Sequence, residues 1–253
     1  MGGQLEASTS SRDESPEAFW TGGPAALARA ARPGPGRGLG HLLGRCLKET
    51  RTIPAGALLF HSGSTCTSLY SIVSGEFEAI QDLPEGGRRV LAFFYSGDLL
   101  LPASPGELWP YALRALSQGQ VETYPVEVLR KACANDGALA FGLFEAACRT
   151  LSSRLEQGAA LRVHSVDRRF AQFLLEAARW IGAERGGGLV LTLPMSRTDI
   201  ASYLGLRSET LSRVIRRWRE QGLIELERSR RLLVRDVRRL EAIARDPLSG
   251  LET

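Results

Sequence analysis

The chain has 253 residues, of which 43% are hydrophobic and 24% are charged, and its formal net charge is +4. These values are ordinary for a soluble globular protein, and the length suffices for two modest domains. No uninterrupted apolar run approaches the roughly 18 residues that a membrane span needs, and the N-terminus lacks the charged-then-apolar pattern of a signal peptide. The sequence therefore predicts a cytoplasmic protein.

The positive charge is concentrated towards the C-terminus. Residues 197–253 contain 13 Arg, no Lys and 9 acidic residues, whereas the first 196 residues are neutral overall. A basic segment of this kind indicates contact with a polyanion, although a solvated charged surface would have the same composition.

The N-terminal segment differs in composition from the rest of the chain. Residues 1–38 are rich in Gly, Pro, Ala, Ser and Arg. They contain too few large apolar residues to offset the entropy cost of ordering, so the sequence predicts a disordered tail.

Residues 39–136 are predicted to form a β domain of the kind that often serves as a sensor. Short apolar runs alternate there with Gly or Pro turn signals. The strand-like runs are Ala57–Phe60, Ser68–Val73, Phe77–Gln81, Val90–Tyr95, Ala112–Leu116 and Val121–Tyr124. Strands of this length at regular spacing indicate a small antiparallel barrel or roll. The Glu85-Gly86-Gly87 element predicts a hairpin turn with positive φ.

The apolar period changes to that of a helix from about Leu139, and residues 137–165 are predicted to form one long helix. Its apolar seam steps alternately by four and three residues: Phe144, Cys148, Leu151, Leu155 and Gly158. Such a stripe packs either on the core of its own chain or on a second copy of the chain. Gly158 would allow two backbones to approach closely, which favours the dimer contact.

Residues 166–253 are predicted to form the last domain. It begins with a helix over Val166–Gly182 and a strand over Leu189–Leu193, and it includes a hairpin formed by Leu223–Leu226 and Arg231–Arg235. A small hairpin that follows helices in this way is typical of the wing of a winged-helix domain.

Two short helices are predicted between that strand and that hairpin. Ser196 and Asp199 have the spacing of a capping box at a helix start, and Gly205 ends the helix in a left-handed turn. Ser208 is predicted to cap the second helix, and Gly222 ends it. The second helix has an apolar stripe at Leu211, Val214, Ile215 and Trp218. Two short helices joined by a tight Gly turn predict a helix-turn-helix.

The outward face of the second helix indicates what the domain binds. Glu209, Ser212 and Arg213 lie in its first two turns, where a recognition helix meets base edges. Arg213 can donate a bidentate fork to guanine, Glu209 can accept from the cytosine amine, and Ser212 can contact a base edge or the thymine methyl. The residues predicted to contact phosphates are Arg207, Arg216, Arg217, Arg219 and Arg230. The alternative is a solvated helix surface.

One stretch of this domain has a distinctive sequence, Asp199-Ile-Ala-Ser-Tyr-Leu-Gly-Leu-Arg-Ser-Glu-Thr-Leu-Ser-Arg213. Its Asp-Ile-x-x-Tyr-Leu-Gly-Leu run and its Glu-x-x-Ser-Arg signature resemble the Fnr and FixK branch of the Crp/Fnr family of bacterial regulators, and the resemblance extends over about residues 40–245. It implies an α+β chain with a β-roll like a cyclic-nucleotide-binding domain, a long dimerisation helix and a C-terminal winged helix-turn-helix. It also implies a homodimer that acts with RNA polymerase on palindromic promoter sites with TTGA-like half-sites, usually as an activator that responds to oxygen, redox or metabolite signals.

The sequence departs from the family in the residues that sense signals. Members that bind cyclic AMP have Gly-Glu after a turn and a later Arg-Ser or Arg-Thr that holds the phosphate, whereas this chain has Gly97-Asp98-Leu99 and only Arg114. Oxygen sensors of the Fnr type hold an iron–sulfur cluster through an N-terminal Cys run and a Cys in the roll. Here residues 1–45 lack Cys, and Glu122 occupies the matching roll position. The first departure argues against binding of cyclic AMP, and the second argues against an iron–sulfur cluster.

Haem is a further candidate because some relatives bind it. The three histidines, His41, His61 and His164, are the candidate axial ligands, but a lone His is far more often solvated or hydrogen-bonded. No metal site and no cofactor are therefore predicted, in line with FixK-like members, which the resemblance implies are controlled mainly by abundance.

The four cysteines are Cys46, Cys66, Cys133 and Cys148. Without a secretion signal they are expected to be reduced thiols.

Two other classes of function fit the sequence less well. An effector-binding module, such as a haem or small-molecule sensor whose second domain contacts protein, is the main alternative, but the Arg that would hold a cyclic phosphate is missing. An enzyme would need a nucleophile–base pair, metal-ligand spacing or a Gly-rich phosphate loop, and none is recognisable. The sequence therefore predicts a promoter-binding transcriptional regulator.

Overall fold

The computed structural model describes residues 39–101, 106–186, 188–228 and 230–245. The predicted tail, residues 1–38, lies outside them. The described part opens with the helical turn α1 (Gly40–Leu43). The strands that follow are β1 (Glu49–Ile53), β2 (Leu58–Phe60), β3 (Ser68–Ser74), β4 (Phe77–Asp82), β5 (Arg88–Phe94), β6 (Leu99–Leu100), β7 (Ala112–Ala115) and β8 (Gly119–Pro125). This succession of short strands confirms the β-rich N-terminal domain.

These strands form two antiparallel sheets, with the strand orders β1-β8-β3-β6 and β2-β7-β4-β5. The core between them is apolar, and in it Phe60 stacks on Trp109 with 4.3 Å between ring centroids. Gly86 and Gly87 both have positive φ between β4 and β5, as the turn sequence predicted. Strands β1 and β6 were not predicted, because β1 is mostly exposed and polar and β6 has only two residues.

Three helices connect the roll to the C-terminal domain: α2 (Val126–Asn135), α3 (Gly137–Val163) and α4 (Val166–Ile181). Helix α3 runs for 27 residues through the range predicted for the long helix, whereas α2 was not predicted. One side of α3 packs on the roll through the buried residues Leu139 and Ala146. In the described part of the chain, no helix combines the length and apolar character that crossing a membrane would take.

The C-terminal domain combines a small sheet with three further helices. Its elements are β9 (Gly182–Arg185), β10 (Gly188–Thr192), α5 (Arg197–Tyr203), α6 (Ser208–Glu220), β11 (Ile224–Arg228), β12 (Arg231–Val234) and α7 (Val237–Arg245). The sheet has the order β11-β12-β10-β9, and the β11–β12 hairpin forms the wing. Helices α5 and α6, followed by this hairpin, confirm the winged helix-turn-helix.

Strand β5 and the residue that follows it, Tyr95, join the roll to the C-terminal domain through shared buried residues. Val90, Phe93 and Tyr95 belong to the same apolar cluster as the core of the C-terminal domain. The ring of Phe93 lies 5.0 Å from that of Tyr203, and Tyr95 stacks on Trp180 at 5.7 Å. The helix-turn-helix is therefore packed directly against one face of the roll.

Candidate nucleic-acid interface

The first helix of the helix-turn-helix begins at a complete capping box. The Ser196 hydroxyl accepts the N–H of Asp199 at 3.1 Å, and the Asp199 carboxylate accepts the N–H of Ser196 at 3.2 Å. Gly205 has a φ of 64° in the turn that follows α5, a conformation that glycine adopts without strain. Both features agree with the sequence prediction.

The start of α6 differs from the prediction. Helix α6 begins at Ser208 itself, and Arg207 is the N-cap residue without a capping bond from its side chain. The prediction that Ser208 caps the helix is therefore wrong. A hydroxyl caps a helix only from the residue that precedes the first helical one, and Ser208 already has helical geometry.

Helix α6 is fixed to the domain core by one apolar stripe. Leu211, Val214, Ile215 and Trp218 are all buried. The ring of Trp218 lies 5.1 Å from that of Phe170 in α4, and its indole N–H donates to Asp167 at 2.7 Å. This anchoring determines which side of α6 faces outward.

The three predicted base-reading residues lie on the outward side of α6. Glu209 and Arg213 are exposed, and Ser212 is half-buried beside them. All three occupy the first two turns, the part of a recognition helix that enters the major groove. The guanidinium and the carboxylate are therefore exposed on the same outward side of the helix.

The predicted phosphate-contacting arginines have different surroundings. Arg207, Arg216, Arg219 and Arg230 are exposed. Arg217 instead forms an ion pair with Asp167, so its guanidinium would have to share or leave that carboxylate to bind a phosphate.

Arg197 is a basic residue that the sequence analysis missed. It is exposed at the first position of α5. Together with Arg230 it lines a cleft of about 470 Å³ between the helix-turn-helix and the wing. Its position directly after the capping residue Ser196, at the start of the helix-turn-helix, was the signal that could have pointed to Arg197 as an exposed basic residue of this surface.

Four of the five residues of the predicted seam of α3 are exposed in the single chain. The side chains of Phe144, Leu151 and Leu155 are 61–66% exposed, and Cys148 is also exposed. Gly158 lies within the same helix. Phe141, which was not predicted, extends the exposed apolar surface, and its ring lies 6.1 Å from that of Phe144. The exposed seam residues Phe144, Cys148, Leu151 and Leu155 do not pack on the core of their own chain, which was one of the two interpretations of the seam.

Arg114, the residue of the roll that the sequence offered for holding a cyclic phosphate, is engaged in another contact. The side chain of Arg114 lies on the outer face of its sheet, where its Nε donates to the buried carboxylate of Glu78 at 2.7 Å. Leu113 and Ala115, on either side of it, face the roll core. The carboxylate of Asp98 accepts the backbone N–H of Tyr95 at 2.8 Å. The only cation that the sequence offered for a cyclic phosphate is therefore engaged elsewhere.

The other candidate ligands are dispersed over the fold. His41 lies in α1, His61 follows β2, and His164 connects α3 to α4. Burial lowers the pKa of His164, whose Nδ1 lies 3.1 Å from Gln172. Within the described ranges, no three His, Cys, Asp or Glu residues are grouped as metal ligands. The four cysteines, Cys46, Cys66, Cys133 and Cys148, are free thiols. Glu122 forms an ion pair with Lys48.

The arrangement defines a class of protein. An amphipathic helix is held by a capped helix, a glycine turn and a wing, and it presents charged residues on its first two turns. This is the construction of a DNA-binding transcription regulator.

Comparisons with known proteins identify the family. Residues 168–243 match the Crp-like helix-turn-helix domain, and residues 50–136 match the cyclic nucleotide-binding domain. The nitrogen fixation regulation protein FixK of Azorhizobium caulinodans is 32% identical over 188 residues, which are 73% of this chain and 75% of that protein. The transcriptional activator protein FnrA of Stutzerimonas stutzeri is 28% identical over 205 residues, which are 81% of this chain and 82% of that protein. The structure of FixK2 from Bradyrhizobium japonicum covers 78% of this chain and 97% of its own, with a TM-score of 0.70 and 27% identity.

The chain therefore belongs to the Crp/Fnr family, and it is a DNA-binding transcriptional regulator rather than an enzyme. The match to a cyclic nucleotide-binding domain describes the fold of the roll. Within this roll, Arg114 is bonded to Glu78 on the outer face of its sheet.

Proposed function

We propose that the chain acts in the cytoplasm as a homodimer that binds palindromic promoter sites with TTGA-like half-sites and contacts RNA polymerase there. The observation that carries the proposal is the exposure of Glu209, Ser212 and Arg213 on the outward face of α6. Relatives described as FixK and FnrA suggest that the controlled genes serve oxygen, redox or nitrogen metabolism.

The exposed seam of α3 supports the dimer. Leu151 and Leu155 are each more than 60% exposed in the single chain, and a row of large apolar side chains on one helix is typical of a contact that a second copy covers. A two-fold axis along this seam would pair two identical helices and place two recognition helices symmetrically. A palindromic DNA site has the same symmetry.

The proposed regulator works without a bound cofactor. Neither the cyclic AMP residues nor the Cys pattern of an iron–sulfur cluster is present in the sequence, and the haem interpretation rests on isolated histidines. Titration calorimetry with cyclic AMP is expected to give no saturable heat, because Arg114 is bonded to Glu78. DNA affinity is expected to be unchanged by cyclic AMP in the same buffer. Saturable heat at a stoichiometry of one per chain would contradict this proposal.

DNA binding by the full-length protein tests the function. The wild-type chain is expected to bind a duplex with two TTGA half-sites at least about a thousandfold more tightly than a scrambled duplex at the same salt.

Leu151→Asp is expected to lose this binding and to sediment as a monomer at micromolar concentration, because dimerisation would bury an unpaired charge.

Arg149→Asp is the matched control for the dimer contact. Arg149 is exposed on α3, and at 100° per residue it lies well away from the seam. This variant is expected to remain dimeric. A wild-type protein that stays monomeric in the presence of the palindromic duplex would contradict the proposal.

A further inference from the structure

The β4–β5 hairpin of the roll holds the first helix of the helix-turn-helix through two polar contacts. The Arg88 guanidinium donates to the Asp199 carboxylate at 2.6 Å. The backbone N–H of Val90 donates to the Ser202 hydroxyl at 3.0 Å. The two contacts start two residues apart on β5, one from the Arg88 side chain and one from the backbone at the edge of the sheet, so the strand meets α5 in a fixed register.

Asp199 belongs to two contacts at once. One of its carboxylate oxygens completes the capping box with Ser196, and the other accepts from Arg88. Burial would raise the pKa of Asp199, but the hydrogen bonds from Ser196 and Arg88 hold it below its usual value. The carboxylate is therefore charged and oriented, and its bond to Arg88 is of the strong, charge-assisted kind.

A second ion pair lies behind the first. Glu78 is fully buried on β4 and is bonded to Arg114 on β7. Burial raises the pKa of Glu78, and the nearby charge of Asp199 contributes to the rise despite the bonds from Arg114. The charge of Arg88 lowers the pKa of Glu78 and so opposes the effect of Asp199. Arg88 therefore compensates a like-charge approach between the two domains.

We infer that Arg88 is a positioning residue that fixes the orientation of the helix-turn-helix relative to the roll, and thereby the separation of the two recognition helices. This inference rests on the proposed dimer on paired half-sites. The C-terminal domain is attached to the rest of the chain at the α3–α4 junction and along β5. Without the Arg88 contact, the β5 attachment keeps the Val90–Ser202 bond and the apolar contacts but loses its ion pair with α5. The domain is then less firmly held against rotation about the junction, while the base-reading face of α6 remains intact.

The readout that separates positioning from base reading is the preference for half-site spacing. One inserted base pair moves one half-site by about 3.4 Å and rotates it by about a tenth of a turn. The wild-type protein is expected to bind the lengthened duplex much more weakly than the native one. The ratio of the affinities for the native and the lengthened duplex measures the spacing preference. Arg88→Gln is expected to lower this ratio by about tenfold, while the base preference within each half-site is unchanged. Arg88→Lys keeps the charge and is expected to restore the spacing preference.

Arg89→Gln is the matched control. Arg89 is exposed and adjacent on the same strand, its side chain points to the opposite face by alternation, and its replacement removes the same charge. It is expected to keep the wild-type spacing preference. Arg88→Gln with a wild-type preference, or an equal change in Arg89→Gln, would overturn the inference and leave the proposed function standing. A wild-type protein that binds single half-sites as tightly as paired ones would overturn the dimeric function itself, and the inference with it.

Discussion

Trp218→Ala is expected to lower the free energy of unfolding of the DNA-binding domain by about 3–5 kcal/mol. The side chain is 1% exposed, and it contacts the ring of Phe170 in α4. Its removal leaves a cavity under α6 and eliminates the hydrogen bond that the indole N–H donates to Asp167. Denaturant unfolding followed by circular dichroism measures the loss, and DNA affinity should fall with it because α6 loses its anchor.

Trp218→Phe separates packing from hydrogen bonding in that result. Phenylalanine keeps much of the buried ring but has no indole N–H, and Asp167 retains its ion pair with Arg217. The expected loss is about 1–2 kcal/mol. If both variants lost the same free energy, the stabilisation would come from the hydrogen bond, and the packing explanation would be wrong.

The helix-turn-helix could be predicted from the sequence because its signals are local. The capping box of Ser196 and Asp199 spans four residues, and the turn needs one glycine with positive φ. The buried stripe of α6 recurs within two turns, so the hydrophobic period alone indicated which side faces outward. The first residue of α6 was misjudged, since a serine at either of two adjacent positions gives the same sequence pattern.

Contacts between residues far apart in the chain could not be predicted in this way. Arg217 was assigned to phosphates from its helical position, but its partner Asp167 lies 50 residues away. Arg88 and Asp199 are 111 residues apart and lie in different domains. A single sequence has no periodic signal that relates such positions, because the pairing follows from how two finished domains pack. For the same reason, the sequence did not predict the apolar core that β5 shares with the C-terminal domain.

Arg213→Ala is expected to remove the preference for guanine in each half-site, with a loss of about 1–3 kcal/mol per half-site. Arg213 is exposed in the second turn of α6, where a guanidinium can donate two bonds to the guanine edge. Alanine leaves the O6 and N7 acceptors of guanine without a hydrogen-bond donor, so the variant cannot distinguish guanine from adenine. The proposed dimer would read the site twice, so the loss is expected at both half-sites.

Arg216→Ala is the contrasting variant on the same helix. Arg216 is exposed one turn further along, where a phosphate contact gives affinity without sequence information. Its replacement is expected to weaken binding to all duplexes alike. The slope of log affinity against log salt should then fall by about one for each phosphate that the variant no longer neutralises.

The two variants are measured together against duplexes in which only the guanine is varied, at several fixed salt concentrations. The ratio of affinities for guanine and for the other bases isolates base reading, because a phosphate contact cancels in that ratio. The salt slope isolates phosphate contacts, because every base variant has the same backbone charge. Arg213→Ala that keeps the guanine ratio would show that another residue reads this base. The orientation of α6 in the major groove would then differ from the one that its exposed face indicates.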